Sequence, residues 1–406
     1  MQILAIKRAA PGGKANGLDL PVREILGRLA ARHDVTLASW GGQAPAPREL
    51  NFRTTVRPLP AANAQTRGNS GNRRELRLLD HYGFAAETVP WLASLMADYR
   101  PDVVVGIDYA TLPALAGNRA VPRLAYLLDN RFLSARQELR TGNRSPAAAL
   151  KELVWSWRLH RRYGRSADAF IFVTEQEAAG FRRFTRRPCW VITNGVDVER
   201  FRPSGAARDT NTVVFVGSLD FPPNIEATAW FCEQVWPHVR RACPDARFQI
   251  VGRDPVPRVA ALAGREQIEV ISDPPDIRPY LARAAVAVAP MRSGGGVKNK
   301  ILEGWAMGTP MVVTRMSLAG LAARPGDNIL AADRPADFAA NLVLCLRDTS
   351  LRDLLAARGR ETVLAEHTWE KAAAQFEECL AAVINVDECQ LPEAKSDCRF
   401  ATFINR

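Results

Sequence analysis

Short apolar runs alternate with amphipathic helical stretches along most of the chain, and this alternation predicts two consecutive α/β halves. In the first half, helical patterns separate apolar runs at residues 2–6, 35–38, 103–106, 124–128 and 169–173. A second series starts at residue 213, with strands at 248–252, 268–271 and 286–289 and three final helices between 336 and 384. Apolar strands separated by helices are typical of parallel sheets with helices on both faces. We therefore predict an α/β fold of two facing Rossmann-like domains with an interdomain cleft.

The stretch from residue 285 to residue 314 carries the clearest chemical signal. An apolar run ends at Pro290, three consecutive glycines follow at residues 294–296, and a helical pattern then runs from Val297 to a stop at Gly308. Free N–H groups at a helix N-terminus favour phosphate oxygens, particularly beside glycines that permit a close approach. The pattern therefore predicts a phosphate-binding loop.

Three charged side chains accompany this glycine loop. Lys298 and Lys300 add cationic donors at the helix N-terminus, and Glu303 shares a helix face with Lys300. A carboxylate one turn into the helix can accept two ribose hydroxyl groups. The combination favours a nucleoside diphosphate. The alternative is a glycine turn whose charged side chains are merely solvated, since a glycine-rich loop alone is a weak signal.

Composition limits the class of protein. The chain has 406 residues, of which 47% are hydrophobic and 24% charged, as expected for a two-domain globular protein. No apolar run approaches the roughly 20 residues of a membrane span, and the first residues do not form a signal peptide. Seven scattered cysteines without a CxxC pair suggest neither a zinc site nor a disulfide framework. We expect a protein of the reducing cytoplasm.

The net charge of +11 lies entirely in the first half of the chain. Residues 1–202 contain 31 basic and 18 acidic side chains, whereas residues 203–406 contain 23 and 25. This asymmetry favours an acidic partner for the first half: anionic lipid, a phosphorylated acceptor or nucleic acid. An arginine-rich genome is the alternative, although it should not favour one half.

The first half offers several candidate contacts of its own. Gly12 and Gly13 follow the first strand, and residues 41–74 read as a long loop that we expect to contact an acceptor. Asp108 follows a buried strand, where open α/β sheets place ligands. A basic helical stretch at residues 145–165 contains two tryptophans. It either lies on a membrane surface or, as is more usual, buries its tryptophans against the sheet.

Three segments of the second half resemble known sequence motifs. They are NGVD at residues 194–197 with a phenylalanine at 201, FVGSLDFPPN at 215–224, and GGGVKNKILEGWAMGTPMVVT at 294–314. Together they resemble retaining glycosyltransferases of the GT-B fold, family 4, and most closely the bacterial group tied to exopolysaccharide and exosortase systems. The first half matches that family in layout only.

The resemblance implies roles for individual residues. Glu303 is similar to the second acid of the family's E-x7-E pair, which holds the ribose, while Gly295 occupies the position of the first acid. Backbone amides of residues 294–297 would have to take over from that acid. Ser218 and Asn224 stand where the family carries Arg and Lys, so the phosphate role would pass to neighbouring cations.

Asp108 falls beside the position where many relatives carry His, which makes it the polar candidate near the anomeric carbon. The catalytic residues implied are Asp108, Lys298 and Glu303. The donor-binding residues implied are Gly12, Gly13, Gly217, Ser218, Asn224, Arg253, Arg292, Gly294, Gly295, Gly296, Val297 and Lys300. No metal ligands are expected.

The implied activity is transfer of a hexosyl unit from a nucleotide-diphosphate sugar with retention of anomeric configuration, without a metal or other cofactor. Expected partners are the nucleotide sugar, an acidic, lipid-linked or saccharide acceptor, and an anionic membrane at the cytoplasmic face; nucleic acid is not expected. We expect an acceptor domain at residues 1–195, a donor domain at 196–370, and at 371–406 a helix returning to the first domain, with a polar tail. The alternatives are an epimerase or phosphorylase of the same fold, or a non-enzymatic polyanion-binding protein.

Overall fold

The computed structural model describes residues 1–11, 19–41, 50–59, 81–82, 85, 87–141 and 145–385. Within these residues the strands form two separate parallel sheets, as the alternation of apolar runs and helices predicted. The predicted glycines Gly12 and Gly13, and most of the predicted acceptor loop at residues 41–74, lie outside the described residues.

In the part of the chain described, the first sheet has seven strands in the order β3-β2-β1-β4-β5-β6-β7. Its strands are β1 (Gln2–Ala9), β2 (Asp34–Gly41), β3 (Arg53–Val56), β4 (Val103–Ile107), β5 (Arg123–Leu127), β6 (Ala169–Phe172) and β7 (Cys189–Val191). The strand order reverses between β1 and β4, and at such a switch point the carboxyl ends of two neighbouring strands open a crevice for ligands.

The second sheet repeats this arrangement, with the described strands in the order β10-β9-β8-β11-β12-β13. They are β8 (Asp209–Val216), β9 (Arg247–Gly252), β10 (Ile268–Ser272), β11 (Ala284–Ala289), β12 (Met311–Val313) and β13 (Leu330–Ala331). Here the switch point lies between β8 and β11, and the predicted phosphate-binding loop directly follows β11.

The described helices cover the faces of the two sheets. Those of the first half are α1 (Asp19–Leu29), α2 (Thr88–Tyr99), α3 (Leu112–Gly117), α4 (Arg131–Thr141), α5 (Pro146–Tyr163) and α6 (Glu175–Arg182). Those of the second half are α7 (Pro222–Trp230), α8 (Trp236–Ala242), α9 (Pro257–Ala260), α10 (Arg278–Arg283), α11 (Asn299–Ala306), α12 (Pro335–Arg347), α13 (Thr349–Glu366) and α14 (Trp369–Ile384).

The chain crosses between the two sheets after β7 and returns just before α14. At the return, the backbone N–H of Val196 donates to the carbonyl of His367 at 2.9 Å. A Cβ atom on Gly195 would lie 2.4 Å from the backbone of Thr368, so only glycine fits this close approach. The buried face of α14, including Trp369 and its later apolar residues, then packs into the core of the first sheet.

Two elements differ from the predicted pattern for local reasons. The apolar spacing of residues 225–242 predicts one continuous helix, whereas the structure has a π-helical turn at Phe231–Val235. Pro237 has no N–H and crowds the preceding turn, so a widened turn before it accommodates the ring. In α5, Trp157 is 41% exposed, so the more usual alternative, burial of both tryptophans against the sheet, is wrong for Trp157.

Candidate functional site

The loop between β11 and α11 meets the backbone requirements of a phosphate-binding loop. Gly294 and Gly296 have φ angles of 93° and 69°, which side chains rarely tolerate, whereas Gly295 between them has no positive φ. Lys298 is extended at the N-cap, and the helix begins at Asn299. The first N–H groups of α11 therefore lie directly after a glycine turn at the switch point of the second sheet.

Lys298 holds this loop together. Its Nζ donates to the carbonyl oxygens of Gly294 at 2.8 Å, Gly295 at 2.7 Å and Gly296 at 3.3 Å. Burial lowers the pKa of Lys298 to about 8, and the nearby charge of Glu177 opposes that shift. Because three carbonyls accept from this ammonium, its first task is to fix the loop.

Lys300 is held differently. Its Nζ donates to Asn224 Oδ1 at 2.8 Å and lies 3.8 Å from the centroid of the Phe215 ring. A Cβ on Gly217 would come within 3.0 Å of this Nζ, so the missing side chain at 217 makes room for the ammonium. Burial, followed by the positive charge of Lys298, lowers the pKa of Lys300 to about 7. Among the described residues this ammonium forms no salt bridge, and the charge of Glu303 partly opposes the lowering of its pKa.

Glu303 lies one turn into α11 and is partly exposed. Its carboxylate forms no hydrogen bond with any residue in the described part of the chain. Burial raises its pKa, while the charges of Lys300 and Arg200 act in the opposite direction. An unpaired carboxylate at the edge of a crevice is an acceptor ready for hydroxyl groups.

The loop after β8 completes this side of the crevice. Asn224 Nδ2 donates to the carbonyl of Ser218 at 2.7 Å, and Arg253 Nε donates to Ser218 Oγ at 3.0 Å. Arg292 instead lies over the indole of Trp230, 5.1 Å from the ring centroid. The structure thus gathers Asn224, from α7, and Arg253, which follows β9, around Ser218, while Arg292 lies against Trp230 of α7.

The carboxyl end of β4 carries a strained acidic residue. Asp108 has φ 68° and ψ 164°, a conformation that is essentially restricted to glycine and that tends to occur at functional sites. Its Oδ2 lies 3.9 Å from Nζ of Lys7, which also donates to Asp19 Oδ1 at 2.8 Å. Burial raises the pKa of Asp108 to about 6, against the charge of Lys7 and with that of Asp129.

Two further carboxylates on this side were not predicted from sequence. Burial raises the pKa of Asp129 and raises that of Glu177 to about 7. Asp108 and Glu177 both act on the buried hydroxyl of Tyr126 and raise its pKa, after burial itself. The available signal was position alone, since Asp129 and Glu177 closely follow β5 and β6.

Two residues of the first half of the chain lie close to the glycine loop and the start of α11. Asn194 Nδ2 donates to Asn299 Oδ1 at 2.8 Å, which joins the interdomain turn to the start of α11. Glu177 Oε1 lies 3.6 Å from the position a Cβ would take on Gly295. The glycine loop and the first N–H groups of α11 therefore lie on the second-domain side of this approach, and the Glu177 carboxylate lies on the first-domain side.

Within the described ranges, no group of three or more His, Cys, Asp and Glu side chains is arranged to hold a metal ion. In the same part of the chain, no helix has both the length and the apolar character that crossing a membrane requires.

Known proteins resemble this chain in both halves. Residues 15–200 match the family model described as Glycosyltransferase Family 4, and residues 210–348 match the model described as Glycosyl transferases group 1. The lipopolysaccharide core biosynthesis glycosyltransferase LpsE of Rhizobium meliloti is 37% identical over 109 residues, or 26% of this chain and 32% of that protein. The match thus spans about a third of the length of the curated relatives.

Two solved structures share the fold over nearly the whole chain. Sucrose-phosphate synthase of Thermosynechococcus elongatus has a TM-score of 0.70 and 18% identity, over 94% of this chain and 99% of that one. HepE of Anabaena in complex with UDP has a TM-score of 0.69 and 14% identity, over 94% and 100%. Because the two family models together span most of the sequence and the described fold is that of these structures, the chain belongs to the family 4 glycosyltransferases of the GT-B fold.

Proposed function

We propose that this protein transfers a hexosyl unit from a nucleotide-diphosphate sugar to an acceptor, with retention of anomeric configuration and without a metal. The observation that carries the proposal is the N-terminus of α11. Within the described part of the chain, Lys300 has no salt-bridge partner and the carboxylate of Glu303 accepts no hydrogen bond. Both residues lie at the switch point of the second sheet. This arrangement suits a diphosphate with a ribose attached.

Each part of the donor has a matching group. The diphosphate would bind the first N–H groups of α11 and the ammonium of Lys300, while Glu303 would accept the ribose hydroxyls. Negative charge grows on the leaving phosphate during transfer, and fixed N–H groups and a cation stabilise that charge without reorganisation. Lys298 would act by holding the loop in shape, since its protons are directed to carbonyls.

The sugar would then lie between this loop and the carboxylates of the first domain. Asp108 is the polar group we place nearest the anomeric carbon, with Lys7 and Asp129 tuning its charge. A carboxylate there favours the positive charge that develops on the sugar in an oxocarbenium-like transition state. Front-face attack by the acceptor on the same side would retain the configuration.

The relatives support a nucleotide sugar and a saccharide product. HepE was solved with UDP and with UDP-glucose, and LpsE is described as acting in lipopolysaccharide core biosynthesis. We infer a role in bacterial polysaccharide or glycoconjugate biosynthesis, with a saccharide or lipid-linked acceptor. On the same basis we propose an acceptor domain at residues 1–195, a donor domain at 196–370, and a C-terminal segment from 371 that returns to the first domain through α14.

The test is a screen of UDP-, GDP- and ADP-sugars by thermal shift, followed by transfer assays with saccharide and lipid-linked acceptors. Anomeric coupling constants of the product, measured by proton NMR, report retention or inversion. Activity that survives EDTA supports the metal-free mechanism. Donor incubated alone must not isomerise, because isomerised donor would identify an epimerase. No stabilisation by any nucleotide sugar would refute the proposed function.

We also propose that α5 docks on an anionic membrane surface. Leu150, Val154 and Trp157 are 54%, 41% and 41% exposed and recur at helical spacing on one face. Arg161 lies over the Trp157 ring at 4.8 Å, so positive charge borders the apolar stripe. A helix with an exposed apolar stripe and basic neighbours lies in the membrane interface and binds anionic lipid preferentially.

Vesicle sedimentation tests this surface. Wild type should bind phosphatidylglycerol vesicles more than phosphatidylcholine vesicles, and less at high salt. The double change Val154→Glu and Trp157→Glu should abolish most of the binding. Leu354→Glu is the matched control, since Leu354 is 50% exposed on α13 of the other domain. Equal loss in both variants, or no lipid preference, would contradict the docking surface.

A further inference from the structure

Glu177 is a buried carboxylate with an unused hydrogen-bonding atom. It is 5% exposed, and its Oε2 has no hydrogen-bond partner among the described residues. The residue is fixed in the first turn of α6, where Thr174 Oγ1 accepts from its N–H at 3.3 Å and Asn130 Nδ2 donates to its carbonyl at 2.9 Å. A buried, unpaired carboxylate oxygen is costly, so a position held this firmly indicates a missing partner.

The carboxylate is directed at the phosphate-binding loop across the interdomain gap. Glu177 Oε1 lies 3.6 Å from the position of a Cβ on Gly295, and the charge of Lys298 acts on the same carboxylate. The ammonium of Lys298, however, donates to three loop carbonyls. Glu177 therefore faces the middle of the loop without a hydrogen bond to Lys298.

Gly295 leaves space at this point for a reason other than backbone conformation. Its neighbours Gly294 and Gly296 need positive φ angles, but Gly295 does not, and it is exposed. A side chain could stand here without strain. A Cβ on Gly295 would be in van der Waals contact with Glu177 Oε1, so the missing side chain leaves space for one small group beside that carboxylate.

A hydroxyl group of a sugar attached to the diphosphate would fit that space. In the proposed donor pose, the phosphates lie at the N-terminus of α11 and the ribose at Glu303, so the sugar projects from the loop. Sugar hydroxyls are strong donors that need acceptors, and a carboxylate can accept from two of them. We propose that Glu177 binds hydroxyl groups of the transferred sugar and selects for them, an assignment that rests on the proposed function.

The competing explanation is that Glu177 only attracts Lys298 and so holds the two domains together. The two roles predict different ligand dependence. A sugar contact affects binding of the nucleotide sugar but not of the corresponding nucleoside diphosphate, which has no sugar to contact. A domain anchor would weaken both ligands alike and would lower the melting temperature.

The experiment compares Glu177→Ala, Glu177→Gln and the control Glu175→Gln by isothermal titration calorimetry with the best nucleotide sugar from the screen and its nucleoside diphosphate. Glu175 is on the same helix but pairs with Arg182 on the surface. We expect Glu177→Ala to weaken sugar-nucleotide binding about 10- to 100-fold, as for a lost hydrogen bond to a charged group. Nucleoside-diphosphate binding should stay within about twofold, which is the usual scatter between such variants.

A second-site change gives an independent test. Gly295→Glu in the Glu177→Ala background returns a carboxylate to the same gap from the opposite side and should restore at least about tenfold of the lost affinity. If Glu177→Ala does not fold, Glu177→Gln carries the comparison, since it keeps the shape and removes the charge.

The outcomes separate the two proposals. Wild type that binds no nucleotide sugar refutes the proposed function. Wild type that binds, with Glu177 variants equal to it, refutes the sugar contact alone. Equal weakening of both ligands, with a lower melting temperature, assigns Glu177 to domain anchoring. Selective loss of sugar-nucleotide binding that Gly295→Glu does not rescue refutes a sugar contact in the space between Glu177 and Gly295.

Discussion

Lys300 provides a test of the proposed donor site because its ammonium forms no salt bridge with any described residue. It is held by Asn224 Oδ1 at 2.8 Å and by the face of Phe215, both of which are neutral groups. Burial lowers its pKa to about 7. A diphosphate next to this nitrogen would favour the ammonium and raise the pKa again. Ligand binding should therefore be linked to uptake of a proton.

The magnitude follows from that pKa. At pH 8 a lysine with a pKa of about 7 is roughly nine-tenths neutral, so binding should take up close to one proton at this site. Donor affinity should decrease with rising pH. It is highest below pH 7 and falls as the pH rises through the pKa of Lys300 in the free protein, approaching about tenfold for each further pH unit. Lys300→Met should remove this dependence and cost about 10- to 100-fold in affinity at pH 6.5, as for one charge-assisted hydrogen bond.

The assay is calorimetry at pH 6.5 and pH 8 in buffers of different ionisation enthalpy, which reports the number of protons taken up. A nucleotide sugar is the preferred ligand because its phosphodiester groups do not titrate in this range. Lys371→Met, at the exposed start of α14, is the matched control. Equal proton uptake by wild type and Lys300→Met at pH 8 would refute the placement of the diphosphate at Lys300.

Three further changes test other parts of the site and the domain connection. Glu303→Ala should lower donor affinity about 100-fold or more, since two charge-assisted hydrogen bonds are lost. The melting temperature should not fall. Wild-type affinity in calorimetry would contradict the ribose contact. Lys298→Met leaves three loop carbonyls without their donor and should lower the melting temperature by about 4–8 °C, corresponding to roughly 2 kcal/mol. Differential scanning fluorimetry measures this change, and the comparison variant Lys300→Met should lower the melting temperature less. Gly195→Ala forces a Cβ to 2.4 Å from the backbone of Thr368 and should cost at least about 2 kcal/mol in chemical denaturation; an unchanged midpoint would show that the return crossing adapts freely.

Most of the fold could be predicted because both sheets are covered on two faces. Every residue of β4 and β11 is buried, so each strand is a continuous apolar run that stands out in the sequence. Elements without such a run were missed. The strand β13 has two residues, and α4 is predominantly polar, so neither shows a period to recognise.

The residues of the candidate site likewise fall into those that the sequence could predict and those that it could not. The glycine loop, Lys300 and Glu303 are close in sequence, so their spacing alone indicated a shared helix end. Glu177 and Asp129 could not be assigned in this way. Their significance depends on which strands are neighbours in one sheet and on how that sheet faces the loop of the other, and neither is encoded in local spacing.

Burial shifts the pKa values of the acidic and the basic groups of the candidate site in opposite directions. On the first-domain side, burial raises the pKa of Glu177 to about 7 and that of Asp108 to about 6, so the carboxylates resist ionisation. On the second-domain side, burial lowers the pKa of Lys300 to about 7, so the lysine resists protonation.

A bound ligand with negative phosphates near Lys300 and a sugar near the carboxylates would relieve both costs. The relief grows as the glycosidic bond breaks, since negative charge then collects on the phosphate and positive charge on the sugar. In the proposed donor pose, a separating ion pair would therefore stabilise the charged forms of these groups more than the intact donor would, which is the condition for lowering a barrier and not merely tightening binding.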